Sequence, residues 1–268
     1  MVRRLLVLAF VILLGVLTTG VGNAITFGHP DRGRHPNVGA LLADYDSDSP
    51  GLDVVCTGTL IDEQVFLTAA HCTAFLDSIG IERARVTFTP DYDEDSTSLV
   101  DTFAGRYVTH PQYGTGGRND PHDIAVVLLD RSPGVQPARL PSAGLLNDLK
   151  TSHELDDRLF TTVGYGTARE DKTGGFHALF FDGKRRYATQ TALNIEKAWL
   201  LLSMNPSTGD GGTCYGDSGG PHFLGGVDSN LLVSTTITGD APCRATDKTY
   251  RLDTAPARDF LDNFVDLP

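Results

Sequence analysis

From Ile25 onward, short apolar runs alternate with turn-forming residues along the chain. The runs Val54–Ile61, Val65–Ala70, Arg85–Thr89, Phe103–Val108, Ile124–Leu129, Phe160–Gly164, Leu200–Met204 and Leu231–Thr238 are each about one strand long, with Gly, Pro and Asp between them. That spacing predicts an all-β sandwich or barrel. Long amphipathic helical patterns are almost absent. One helix is predicted at the end of the chain: Thr254 suits the cap, Pro256 the first turn, and Phe260, Leu261 and Phe264 share a face. Pro133, Gly134, Pro137 and Pro141 interrupt the strand pattern and mark a connection between two halves. The acidic stretches Asp44–Asp48 and Asp91–Asp95 read as solvated turns. Asp91, Asp93 and Asp95 alternate, but without the glycine and terminal glutamate of an EF-hand loop.

The first 24 residues follow a different pattern. Arg3 and Arg4 precede an apolar stretch, Leu5–Leu17, and then the small or polar residues Thr18–Ala24. Gly22 and Ala24 stand where a signal peptidase requires small side chains, so a secretory signal ending before Ile25 is predicted. The apolar stretch is too short to cross a bilayer comfortably. Composition narrows the partners. With 22 Lys+Arg against 34 Asp+Glu in 268 residues, the chain is a poor holder of nucleic acid or of anionic lipid. Export also makes disulfides the natural fate of the four cysteines, with three possible pairings. No cysteine pair has zinc-ligand spacing, so no metal is expected.

Chemistry concentrates in three stretches. In Gly216-Asp217-Ser218-Gly219-Gly220-Pro221, glycines flank a serine, which suits a tight turn that exposes the hydroxyl beside free backbone N–H groups. Thr68-Ala69-Ala70-His71-Cys72 places a histidine directly after an apolar strand, and Asp123 heads the apolar run Ile124–Leu129. Serine needs an adjacent base, imidazole titrates near neutrality, and a buried carboxylate fixes its tautomer. Ser218 is therefore the candidate nucleophile, His71 the general base and acid, and Asp123 the orienting group. Asp120 and His122 are neighbours for which Asp123 and His71 could be mistaken; Asp123 is preferred because it immediately precedes the buried run. His222, four residues past the serine, reads as structural. An α/β-hydrolase would need an acid and then a distant histidine after the serine. His222 is the sole histidine there, so that reading fails.

These motifs, in the order His, Asp, Ser, resemble the trypsin-like (chymotrypsin-fold) serine peptidases. His110-Pro111, Leu140-Pro141 and Gly164-Tyr165-Gly166 extend the likeness across the chain from Ile25. The resemblance implies two packed six-stranded antiparallel β-barrels with a C-terminal helix. One barrel, over 25–132, would carry His71 and Asp123; the other, over 133–268, would carry Ser218. It implies a secreted, monomeric endopeptidase acting on protein or peptide substrates without a cofactor, through an acyl-enzyme formed in the cleft between the barrels. The competing reading is a catalytically silent relative that binds partners in the same cleft.

Carried over residue by residue, the resemblance places the oxyanion hole at the N–H groups of Gly216 and Ser218. It pairs Cys56 with Cys72 and Cys214 with Cys243. It also pairs a free amine on Ile25 with Asp217, so that removal of the signal would itself activate the chain. The substrate pocket would involve Gly212, Thr213, Tyr215, Gly239 and Asp247. Gly212 stands where trypsins carry an aspartate, and Ile237-Thr238-Gly239 replaces the usual Ser-Trp-Gly. An inward Asp247 would favour a basic side chain and an inward Lys248 an acidic one, so no residue preference follows from the sequence.

Overall fold

A computed structural model describes residues 25–45, 50–169 and 175–268. The segment read as a secretory signal, and the part of the first acidic turn from Asp46 to Asp48, lie outside them. The first half contains β1 (His29–Pro30), β2 (Val38–Ala43), β3 (Asp53–Asp62), β4 (Val65–Thr68), α1 (Ala70–Ser78), β5 (Ala84–Thr87), β6 (Thr102–Thr109) and β7 (Ala125–Leu129). The second begins with α2 (Leu145–Thr151) and β8 (Leu159–Gly164), then the small hairpin β9 (Ala168–Arg169) and β10 (Leu179–Phe180). It continues with β11 (Arg186–Ile195), β12 (Trp199–Ser203), β13 (Pro221–Leu224), β14 (Leu232–Gly239), β15 (Thr246–Arg251) and α3 (Ala255–Leu261).

Two closed six-stranded antiparallel barrels result. The first runs β2-β3-β4-β7-β6-β5 and closes on itself. The second runs β8-β11-β12-β15-β14-β13 and closes through β13 onto β8, with β1 added to the edge of β11. Strand β7 shows why the seam between them is buried. Val127 and Leu129 point into the first barrel's own core, whereas Ile124 and Val126 join a second core shared with Val163, Trp199 and Phe223. A strand with both faces covered reads as a continuous apolar run. Helix α3 lays Ala257, Phe260 and Leu261 on that shared core.

Several local expectations are corrected. Thr254 is the residue before α3, but its hydroxyl donates to the Arg251 carbonyl at 3.5 Å and makes no cap bond to the helix. Ala70, expected as the last residue of an apolar strand, instead begins a helix, α1, with His71 in its first turn. The long strand β11 escapes an apolar-run reading because its inward positions include Arg186 and Gln190, buried against polar partners.

Candidate active site

Strand β4 ends at Thr68, which pairs with Ala125 of β7. The register brings the residue two positions before β7 beside the first turn of α1. There the Asp123 carboxylate clasps His71 twice. Oδ1 accepts the His71 backbone N–H at 2.9 Å, and Oδ2 lies 2.9 Å from Nδ1. Asp123 is buried and the imidazole is about one-third exposed, so one edge of the ring is held while the other faces the cleft.

Ser218 lies on a turn between Gly216 (φ +93°) and Gly219 (φ +81°), left-handed conformations that glycine adopts at no steric cost. Gly219 also has no room for a side chain: a Cβ would stand 2.2 Å from Thr68 Oγ1 and 2.5 Å from the Thr57 carbonyl. The turn is fastened to the first barrel. Thr57 N–H donates to the Ser218 carbonyl at 2.9 Å, the Thr57 hydroxyl donates to the Gly216 carbonyl at 3.0 Å, and Cys72 Sγ lies 3.8 Å from the Ser218 carbonyl. The serine's main chain therefore abuts the residue after His71, across the seam. Among the described residues the Ser218 hydroxyl makes no hydrogen bond to the imidazole. Such bonds are often loose without substrate and tighten when it binds.

The neighbours with which the pair could be confused face elsewhere. Asp120 accepts the Tyr250 hydroxyl at 2.8 Å, and His122 stacks on His110 with centroids 4.7 Å apart. His222 is fully buried against Thr236 Oγ1 at 3.0 Å, and burial pushes its pKa down to about 3.

Both disulfides, Cys56–Cys72 and Cys214–Cys243, are present, which selects one of the three pairings. Cys56, His71 and Cys72 form a tight group, but both sulfurs are in the bridge and offer no thiolate to a metal. Ile25 is fully buried, and Thr26 exchanges backbone hydrogen bonds with Gly212 at 2.7 and 2.9 Å. Asp217, also fully buried, accepts the amides of Gly166 and Cys214, each at 2.8 Å. Burial raises its pKa to about 7 against those two bonds, with Asp247 adding repulsion. The spacing of Gly164 and Gly166 follows from this carboxylate: a Cβ on Gly164 would stand 2.0 Å from Asp217 Oδ1.

A cavity of about 260 Å³ opens beside Ser218, lined by Thr213, Tyr215, Ile237, Thr238, Gly239 and Asp240 among others. Two residues expected in the pocket do not line it. A Cβ on Gly212 would point 2.3 Å from Met204 Cγ, into packed interior. Asp247, in register with Gly239 and Leu202, turns inside the second barrel, where Gln190 Nε2 donates to it at 3.1 Å. Burial raises the Asp247 pKa to about 6. Lys248 points away too, its Nζ 4.2 Å from the centre of the Trp199 ring. Strand register fixed these directions, and no local sequence signal revealed them.

Comparison with known proteins agrees with this fold. The protein-family model described as Trypsin matches residues 25–254. A chymotrypsin of Phaedon cochleariae is 28% identical over 207 residues, covering 73% of this chain and 67% of that protein. Serine protease 7 of Drosophila melanogaster is 26% identical, over 70% of this chain and 51% of its own. A collagenase of Hypoderma lineatum is 25% identical, over 86% of this chain and 89% of its own. A solved structure of HL collagenase shares the fold with a TM-score of 0.62 at 18% identity, covering 90% of this chain and 98% of that one.

Proposed function

This chain belongs to the trypsin family, and from that premise we propose that it is a secreted serine endopeptidase using Ser218, His71 and Asp123. The observation that carries the reading is the double clasp of Asp123 on His71, next to a serine turn hydrogen-bonded to the same barrel. With the proton held on Nδ1 by Asp123, Nε2 is the free base. It takes the Ser218 proton as Oγ attacks the scissile carbonyl, and the N–H groups of Gly216 and Ser218 receive the developing oxyanion. The imidazolium then protonates the departing amine, and water attacking the acyl-enzyme repeats the sequence. Family relatives at this level of identity support peptidase activity in general. The assignment of roles is our own.

Activation follows the same logic. Removal of the segment before Ile25 creates an ammonium group next to the Thr26–Gly212 bridge. Pairing with Asp217 would keep that carboxylate charged despite its burial, and losing either partner leaves a costly unpaired charge. N-terminal sequencing of the secreted protein tests this, and a start other than Ile25 defeats it. Ser218→Ala tests the chemistry: hydrolysis of casein or peptide esters should vanish, and activity surviving the change would remove Ser218 from the mechanism. The second reading is a silent relative that binds in the cleft, in which Ser218 and His71 stay unbonded with substrate present. On that reading the correctly processed parent would itself hydrolyse neither substrate.

A further inference from the structure

Thr57 belongs to β3 of the first barrel, yet its side chain is fully buried against main chain of the second half. A hydroxyl can accept and donate at once, and this one does both. It accepts the Tyr165 N–H at 3.2 Å and donates to the Gly216 carbonyl at 3.0 Å. Among the described residues, neither of those main-chain groups has another hydrogen-bond partner. The methyl group is pinned as well. A Cβ on Gly220 would stand 3.1 Å from Thr57 Cγ2, so glycine there leaves the methyl its place. A β-branched side chain has few χ1 choices, and the surroundings of Thr57 select one of them.

The hydroxyl holds the peptide that lies between the two proposed oxyanion donors. The carbonyl of the Gly216–Asp217 peptide is bound by Thr57, and its N–H donates to the Cys214 carbonyl at 3.1 Å. The Gly216 N–H precedes this peptide and the Ser218 N–H follows it. Among the described residues neither of those two N–H groups donates to any acceptor. Gly216 has φ +93° and no side chain, so its own torsions do little to fix the turn. The Asp217 carboxylate is bonded to the Gly166 and Cys214 amides and leaves the Gly216 carbonyl to Thr57. Rotation of the Gly216–Asp217 peptide turns the donors away from the oxygen they must receive.

We propose that the Thr57 hydroxyl is a positioning residue for the oxyanion hole: without touching substrate, it sets the direction of the Gly216 and Ser218 N–H groups. The proposal rests on the peptidase reading above. Thr57→Val keeps the shape and removes the hydroxyl, Thr57→Ala removes the hydroxyl and the methyl, and Thr57→Ser keeps the hydroxyl. In the chain beginning at Ile25, both hydroxyl-free variants should lower kcat/KM on a peptide ester by about ten- to a hundredfold, and Thr57→Ser should stay within about threefold of the parent. A peptide aldehyde of the same sequence separates positioning from general damage. Ser218 Oγ bonds to its carbonyl carbon, the π pair moves onto the oxygen beside the same two N–H groups, and the serine proton passes to His71. Aldehyde affinity should fall by about the factor by which kcat/KM falls, while the matching peptide alcohol, which has no carbonyl there, binds within about threefold of its parent value. Thr249→Val is the control: it loses buried bonds to the Leu200 carbonyl at 3.0 Å and the Ser234 hydroxyl at 2.8 Å. It should lose stability yet keep kcat/KM within about twofold. Folded Thr57→Val or Thr57→Ala with parental activity, or equal loss of aldehyde and alcohol affinity, overturns the proposal and leaves the peptidase reading intact. Failure of both hydroxyl-free variants to fold makes Thr57 structural and overturns it too. A correctly processed parent that hydrolyses no ester overturns the peptidase reading and the proposal together.

Discussion

Asp123→Asn replaces one carboxylate oxygen with an NH₂ group and isolates what the charge does. In the native site both oxygens accept, one from the His71 backbone N–H and one at Nδ1, each at 2.9 Å. An amide has one acceptor and one donor. If its oxygen keeps the backbone N–H, its NH₂ faces Nδ1. That nitrogen must then be unprotonated, the proton moves to Nε2, and the base is blocked. The flipped amide restores the tautomer but sets NH₂ against the backbone N–H, a buried conflict costing about 1–3 kcal/mol. This cost leaves the competent tautomer at roughly one part in five to one in 150. The lost charge also stops stabilising the imidazolium, an effect of about 4 kcal/mol for charges about 4 Å apart at an effective dielectric constant of 20. Together these predict a fall in kcat/KM of about 10³- to 10⁵-fold on a peptide ester, with KM changed less than about threefold. The side chain's volume is preserved, so the thermal midpoint should move by no more than a few degrees. A drop in kcat/KM below about tenfold with the fold intact would refute the reasoning.

Three further outcomes follow from the geometry. Replacing Cys56 and Cys72 by serine opens a loop with a sequence separation of 16, costing about 3 kcal/mol and lowering the midpoint of thermal unfolding by roughly 6–12 °C; an unchanged midpoint contradicts this. Gly212→Asp, which would copy the trypsin pocket floor, should not create a preference for basic residues. Its Cβ enters space held by Met204 Cγ at 2.3 Å and Gln190 Nε2 at 2.7 Å, so destabilisation in urea and unchanged selectivity are expected. Asp247 has a raised folded-state pKa of about 6 against 3.8, so its stabilising contribution is complete below 3.8 and is lost as pH rises through about 6. Urea unfolding of Asp247→Asn beside the parent should therefore show the variant gaining on the parent between pH 4 and pH 7. A difference that does not vary with pH rules out a buried titrating carboxylate.

The candidate residues could be picked out in the sequence where chemistry needs particular residue types within a few positions. A histidine straight after an apolar strand, an aspartate at the head of an apolar run and a serine between glycines each stand out locally, and β7 reads correctly because both of its faces are apolar. Legibility failed where long-range register decides. Asp247 turns into the barrel because it pairs with Gly239 and Leu202, and β11 hides behind inward polar residues, Arg186 donating to Asp182 and Gln190 to Asp247. Helix α1 was missed for a local reason: Ala70–Ser78 continues from a strand with no cap side chain to mark the change.

Covalent labelling of the chain beginning at Ile25 with a fluorophosphonate, followed by mass spectrometry of its peptides, tests the Ser218–His71 assignment most directly. One stoichiometric adduct is expected, on Ser218, and it is lost in folded His71→Ala. A correctly processed and folded chain that takes no label at Ser218, or whose labelling does not depend on His71, would contradict that assignment.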